Sequence, residues 1–124
     1  MPQKVLIVDD SVTIRRMVAT ALNGAGYTVL EAGHGREALT CLEGQSVDVV
    51  ISDVNMPVMD GLTFVKTLRQ TPAGSRVPIL MLTTEMDPSV KEQARAAGAT
   101  AWLRKPCDAP KLLDALTRVL QKAA

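Results

Sequence analysis

Five polar side chains each close a short apolar run: Asp9 and Asp10 follow "KVLIV", Asp53 follows "VDVVIS", Thr83 follows "VPILML" and Lys105 follows "TAWLR". If the runs are strands of one parallel sheet, these residues meet at a single edge. Three carboxylates within a few ångströms of one another raise each other's pKa and cannot all stay ionised without cations. Mg²⁺ answers that demand, because it takes hard oxygen ligands, uses one or two carboxylates, keeps several waters and commonly shares its shell with a phosphoryl oxygen. Lys105 adds an ammonium point charge suited to carboxylate or phosphate. Pro106 behind it favours extended backbone at Lys105 and tightens the loop that aims it. The Thr83 hydroxyl is a further anion contact. A carboxylate ringed by a metal, an ammonium and a hydroxyl is equipped to attack phosphorus and form an aspartyl phosphate. The metal and the lysine would neutralise charge on the group as it passes in line. Taken singly, each residue has a plainer role as helix cap, surface charge or β-former; taken together, they do not.

Positioning such a set requires alternating elements, and the chain supplies them. Short β-rich runs ("KVLIV", "YTVLEA", "VDVVIS", "VPILMLT", "TAWLR") alternate with amphipathic stretches of helical length ("SVTIRRMVATALNGAG", "REALTCLEG", "DGLTFVKTLRQ", "DPSVKEQARAAG", "DAPKLLDALTRVLQKA"). Five strand–helix pairs imply right-handed crossovers, a parallel sheet and helices on both faces, the α/β class. The central runs show little alternation, as expected of strands covered on both sides. Ligands of such sheets bind at the carboxyl edge where strand order reverses. Gly26, Gly44 and Gly98 each fall just past a helical stretch, where a left-handed residue is wanted. Asp87-Pro88 and Asp108 with Pro110 read as helix starts.

The chain has 124 residues, 47% of them apolar and 22% charged, with a formal net charge of +1. That describes one globular domain, expected to span residues 1–124 with no output domain, and excludes a disordered tail. Without a basic track, and with aromatics at 2%, it offers no surface for nucleic acid. Cys41 and Cys107 stand in no metal or redox spacing and read as reduced. The segment "MPQKVLIVDD" reads as neither a signal peptide nor a membrane span. A cytoplasmic, membrane-free monomer is expected.

"VDD", "SDVNMPVMDG", "LTTE" and "LRKP", in this order and spacing, resemble the motifs of the receiver domains of two-component response regulators. The resemblance covers the whole chain. "SDVNMPVMDGL" and "TTEMDP" are most similar to stand-alone chemotaxis regulators of the CheY type. The resemblance implies a flavodoxin-like (βα)5 domain with strand order 2-1-3-4-5, which is CheY's own order and is not inferred from the sequence. It makes Asp53 the phosphoacceptor, with Mg²⁺ held by Asp10, Asp53 and the backbone carbonyl of Asn55, and Asp9 assisting. Thr83 and Lys105 would contact the phosphoryl group. Trp102 takes the position of the switch aromatic, while Thr84 and Glu85 flank the site, Asn55 and Glu85 matching positions that tune dephosphorylation. The chain departs from the family pattern at Trp102 (usually Tyr or Phe), Thr84 (often Ala or Gly) and Cys107 (often Phe).

The implied function is a signalling switch, not an enzyme acting on a separate substrate. A histidine kinase donates the phosphoryl group, and the altered surface binds a flagellar motor switch or another signalling protein. The usual partner surface is the fourth helix, fifth strand and fifth helix. A phosphate sink or an intermediate receiver in a non-chemotaxis relay is the alternative. A haloacid-dehalogenase-type phosphatase also uses an Asp nucleophile, but it needs a second Asp where this chain has Asn55, and it needs room for a cap. A flavin module fails because Asp9 and Asp10 would repel its phosphate, and a P-loop nucleotidase fails because no G-x-x-x-x-G-K-[ST] loop is present. His34, in "AGHGRE", reads as a solvated turn residue.

Overall fold

The computed structural model describes residues 3–54, 56, 58–72, 74–84, 88–105 and 108–123. Strands and helices alternate throughout: β1 (Lys4–Val8), α1 (Val12–Gly24), β2 (Thr28–Ala32), α2 (Gly35–Gly44), β3 (Val49–Asp53), α3 (Gly61–Arg69), β4 (Ile79–Thr83), α4 (Pro88–Ala97), β5 (Ala101–Arg104) and α5 (Ala109–Ala123). All strand pairs are parallel, in the order β2-β1-β3-β4-β5. This is the expected doubly wound, flavodoxin-like fold. Among the described residues no helix is long and apolar enough to cross a membrane.

Strand alternation divides the core in two. Leu6, Val8, Val50, Ile79 and Met81 face one layer, which takes Ala38 and Leu42 from α2, Phe64, Val65 and Leu68 from α3, and Ala94 and Ala97 from α4. Val5, Ile7, Val49, Ile51, Leu80 and Leu82 face the other, which takes Ala19 and Leu22 from α1 and Leu112, Leu116 and Val119 from α5. Both faces of β3 and β4 are therefore apolar, so every residue of these two strands is buried. The helical spacing Leu112, Leu116, Val119 is one apolar stripe laid on the sheet.

Local chemistry starts and stops the helices. The side chains of Ser11, Asp60 and Asp108 accept from the backbone N–H of Ile14, Thr63 and Lys111, each satisfying a donor that the first helical turn leaves open. His34 does the same for α2, its Nδ1 accepting from Glu37 N–H at 3.2 Å, so it is an N-cap and not merely a turn residue. Gly26 and Gly98 end α1 and α4 with φ of 98° and 113°. Gly44 departs from expectation: it is the last residue of α2, which passes directly into the extended residue Gln45. Val58, between β3 and α3, holds φ at 68°, a left-handed conformation that strains a β-branched side chain.

Candidate functional site

Strand order reverses between β1 and β3, and the sheet opens there at its carboxyl edge. Asp9 and Asp10 leave β1 at this point, and Asp53 is the last residue of β3. Carboxylate oxygens of Asp9, Asp10 and Asp53 lie within 4.8 Å of one another. Lys105, the first residue past β5, reaches across with its Nζ 2.7 Å from Asp9 Oδ2 and 3.2 Å from Asp53 Oδ2. Four residues from three separate strand ends thus converge, as the sequence predicts.

Two of these carboxylates are buried, Asp9 at 2% and Asp53 at 8% exposure. Charges so placed require partners. For Lys105, burial is the largest single influence and pulls its pKa down, but the Asp9 hydrogen bond and the charges of Asp53 and Asp9 outweigh it and hold the ammonium above its usual 10.5. Three carboxylates meet one ammonium, a formal charge of −2 among these four side chains. Asp10 is exposed, and its carboxylate has no hydrogen bond or ion pair among the described residues. A hard-oxygen donor set with excess negative charge and one ready carboxylate fits Mg²⁺.

Backbone contacts fix the acids. Asp9 N–H donates to Ala32 O (3.1 Å), its carbonyl accepts from Arg15 Nη1 (2.7 Å) and its Oδ1 accepts from Ser11 N–H (2.9 Å). The carbonyl of Asp53 accepts from Ser52 Oγ at 2.9 Å. Gly61 opens α3 directly under Asp53, its N–H donating to Val54 O at 2.8 Å. A Cβ at Gly61 would run into the Asp53 carbonyl, so only glycine permits this approach.

Thr83 ends β4 and is buried at 2% exposure. Its carbonyl accepts from Lys105 N–H at 2.7 Å, tying the two strand ends together. Alternation along β4 puts Thr83 on the same face as Met81, and Trp102 pairs with Met81 in register and packs into that same layer. Thr84 is exposed and lines a groove between α1 and α5 beside Ile14, Met17, Lys105 and Leu112. Asn55, Glu85, Asp87, Pro106 and Cys107 lie outside the described residues. Sequence reasoning missed Arg15, Ser52 and Gly61. Only the last left a signal, a glycine one residue past a helix-capping Asp.

Residues 5–117 match the family described as the response regulator receiver domain. Chemotaxis protein CheY1 of Helicobacter pylori is 40% identical over 119 residues, covering 94% of this chain and 96% of that protein. A gliding motility regulatory protein of Myxococcus xanthus is 35% identical over 102 residues, which are 82% of this chain but 13% of that much longer protein. Among solved structures, the chemotaxis response regulator CheY4 of Vibrio cholerae superposes with a TM-score of 0.92 at 51% identity, over 96% of this chain and 99% of that one. The receiver domain of the sensor histidine kinase PA1611 from Pseudomonas aeruginosa, with a magnesium ion coordinated in its active-site cleft, superposes with a TM-score of 0.90 at 29% identity, over 98% and 99% of the two chains. With the strand-end acids, the lysine across from them and the strand order all in agreement, the chain belongs to the response regulator receiver domain family.

Proposed function

We propose that this chain is a chemotaxis-type response regulator receiver that takes a phosphoryl group from a partner histidine kinase onto Asp53. The observation that carries this reading is the bridging of Asp9 and Asp53 by Lys105 (2.7 and 3.2 Å) beside the exposed carboxylate of Asp10. Asp53 Oδ attacks phosphorus as the bond from phosphorus to the donor's imidazole nitrogen breaks, and the nitrogen keeps the electron pair. Lys105 then faces a phosphoryl oxygen as well as Asp9, placing positive charge where negative charge develops. Asp10, Asp53 and the carbonyl of Asn55 would hold Mg²⁺, with Asp9 assisting. When bound, the metal neutralises phosphoryl charge and orients the group in line. The chelated magnesium of the PA1611 receiver domain supports this assignment.

The output is a change in protein binding. Thr83 and Trp102 share a sheet face with α4, so a hydroxyl drawn towards the phosphoryl group frees space into which the indole can turn. The branched side chain of Thr84 would restrict access to the acyl phosphate, and Asn55 and Glu85 match the positions that tune how fast water removes it. The similarity to CheY1 and CheY4 favours a flagellar motor switch, or another signalling protein, as the target.

Acetyl phosphate with MgCl₂ tests the reading: one base-labile phosphoryl group should appear by intact mass and be absent from Asp53→Asn. Equal labelling of Asp53→Asn would overturn the site. Trp102 is the only tryptophan, so its emission should change in step with labelling.

A further inference from the structure

Arg15 is a half-buried cation beside the acidic site, yet among the described residues it makes no hydrogen bond or ion pair with any of the three clustered carboxylates. Its guanidinium instead spans two elements: Nη1 donates to the backbone carbonyl of Asp9 at 2.7 Å, and Nε donates to Glu31 Oε1 on β2 at 3.0 Å. Side-chain exposure is 16% for Arg15 and 32% for Glu31, whereas Arg16, 3.8 Å from the same Glu31 oxygen, is 73% exposed. Solvent screening and side-chain freedom make the Arg16 contact the weaker one. A planar fork with both ends engaged has little freedom left.

The carbonyl that Arg15 holds belongs to the peptide linking Asp9 to Asp10. Asp9 N–H is tied to β2 through Ala32 O, and Asp9 Oδ1 to Ser11 N–H. The Arg15 bond adds the remaining restraint, fixing the plane of the Asp9–Asp10 peptide and with it the direction in which the Asp10 side chain leaves the backbone. Asp10 has no partner of its own among the described residues, so its aim depends on that peptide. We infer that Arg15, itself oriented by Glu31, is a positioning residue for divalent-cation binding by Asp10. Its effect passes through the Asp9 carbonyl, and Glu31 acts only through Arg15. Groups that orient metal ligands at one remove typically change affinity by about ten- to a hundredfold when removed.

The inference rests on the reading of the acidic cluster as a Mg²⁺ site. The test is a ¹⁵N NMR titration with MgCl₂, read at the Asp10 and Ser11 amides, with melting temperature measured in metal-free buffer. Arg15→Ala should weaken Mg²⁺ by about tenfold and shift the Asp10 amide before any metal is added. Arg15→Lys, with a single donor site in place of the fork, should fall between wild type and Arg15→Ala. Glu31→Gln keeps an oxygen acceptor and should bind nearly as wild type, whereas Glu31→Ala should weaken binding. The double variant Arg15→Ala/Glu31→Ala should be no worse than Arg15→Ala alone. A lowered melting temperature with unchanged Mg²⁺ affinity would make the pair merely structural and overturn the inference. Additive losses in the double variant would overturn the order of action. If wild type itself showed no Mg²⁺-dependent shifts, the metal-site reading would fall and take this inference with it, an outcome distinct from the other two.

Discussion

Lys105 and Arg69 are both half-buried cations at the edge of the sheet, but at opposite ends of the strands and in opposite company. Lys105 stands at the carboxyl edge between two carboxylates, which hold its pKa up. Arg69, in the last turn of α3, lies against the loops that enter β4 and β5. Its Nε and Nη2 donate to Gly98 O (3.1 and 2.7 Å), and its Nη1 donates to Gly74 O (3.0 Å) and to Val77 O. No carboxylate is paired with it among the described residues, and burial pulls its pKa below the usual arginine value. Neutral carbonyl dipoles accept four hydrogen bonds from Arg69, and among the described residues no carboxylate adds excess negative charge there. At the other end, acids outnumber the cation and the excess charge calls for a ligand. A charge that staples loops together and a charge that serves chemistry are thus told apart by their partners, not by their burial.

The contrast breaks most sharply at Lys105. Lys105→Met should slow acetyl-phosphate labelling of Asp53 by about a hundredfold, since it removes one preorganised charge from the transferring group. Arg69→Met should leave that rate unchanged while lowering stability by about 2 kcal/mol, because three carbonyl groups lose a buried donor. Urea titration and labelling kinetics on the two variants read both effects. A slowed Arg69→Met, or a wild-type rate in Lys105→Met, would erase the distinction. Within the acidic end, Asp10→Ala should raise the Mg²⁺ dissociation constant about tenfold, roughly 1.4 kcal/mol. Asp9→Ala should raise it less, because both Asp9 oxygens are already engaged by Lys105 and Ser11; the reverse order in a metal titration would reassign the two roles. The smallest effect is alkaline. A lysine pKa raised by folding gives stability that is complete below pH 10.5 and is lost as pH rises through the higher folded value. Melting temperatures at pH 9 and pH 11 should therefore fall further in wild type than in Lys105→Met. Arg69→Met should show the wild-type difference.

Much of the acidic end could be read without coordinates, because strand ends are marked by where apolar runs stop, and a parallel sheet gathers those ends whatever their distance in sequence. Asp9, Asp10, Asp53 and Lys105 came together on that rule alone. The Arg69 end was silent: its partners are backbone carbonyls up to 29 residues away, and carbonyls carry no side-chain signature. Arg15 was missed for a related reason, since its tie to Glu31 exists only because β2 lies beside β1. The left-handed turn at Val58 was hidden too. Neighbouring Pro57 and Gly61 advertise a turn but not which residue bears the strain.

The glycine at the head of α3 has a mechanical consequence. Gly61 lets the helix press its first turn against the backbone that carries Asp53, with no side chain between them to yield. The helix is anchored along its length as well, through Phe64, Val65 and Leu68, all essentially inaccessible to solvent. Asp53 therefore sits on an anvil. Bulk added to its carboxylate cannot be absorbed by recoil of the chain beneath. The displacement must travel sideways or outward, to the strand ends that bear Thr83 and Lys105.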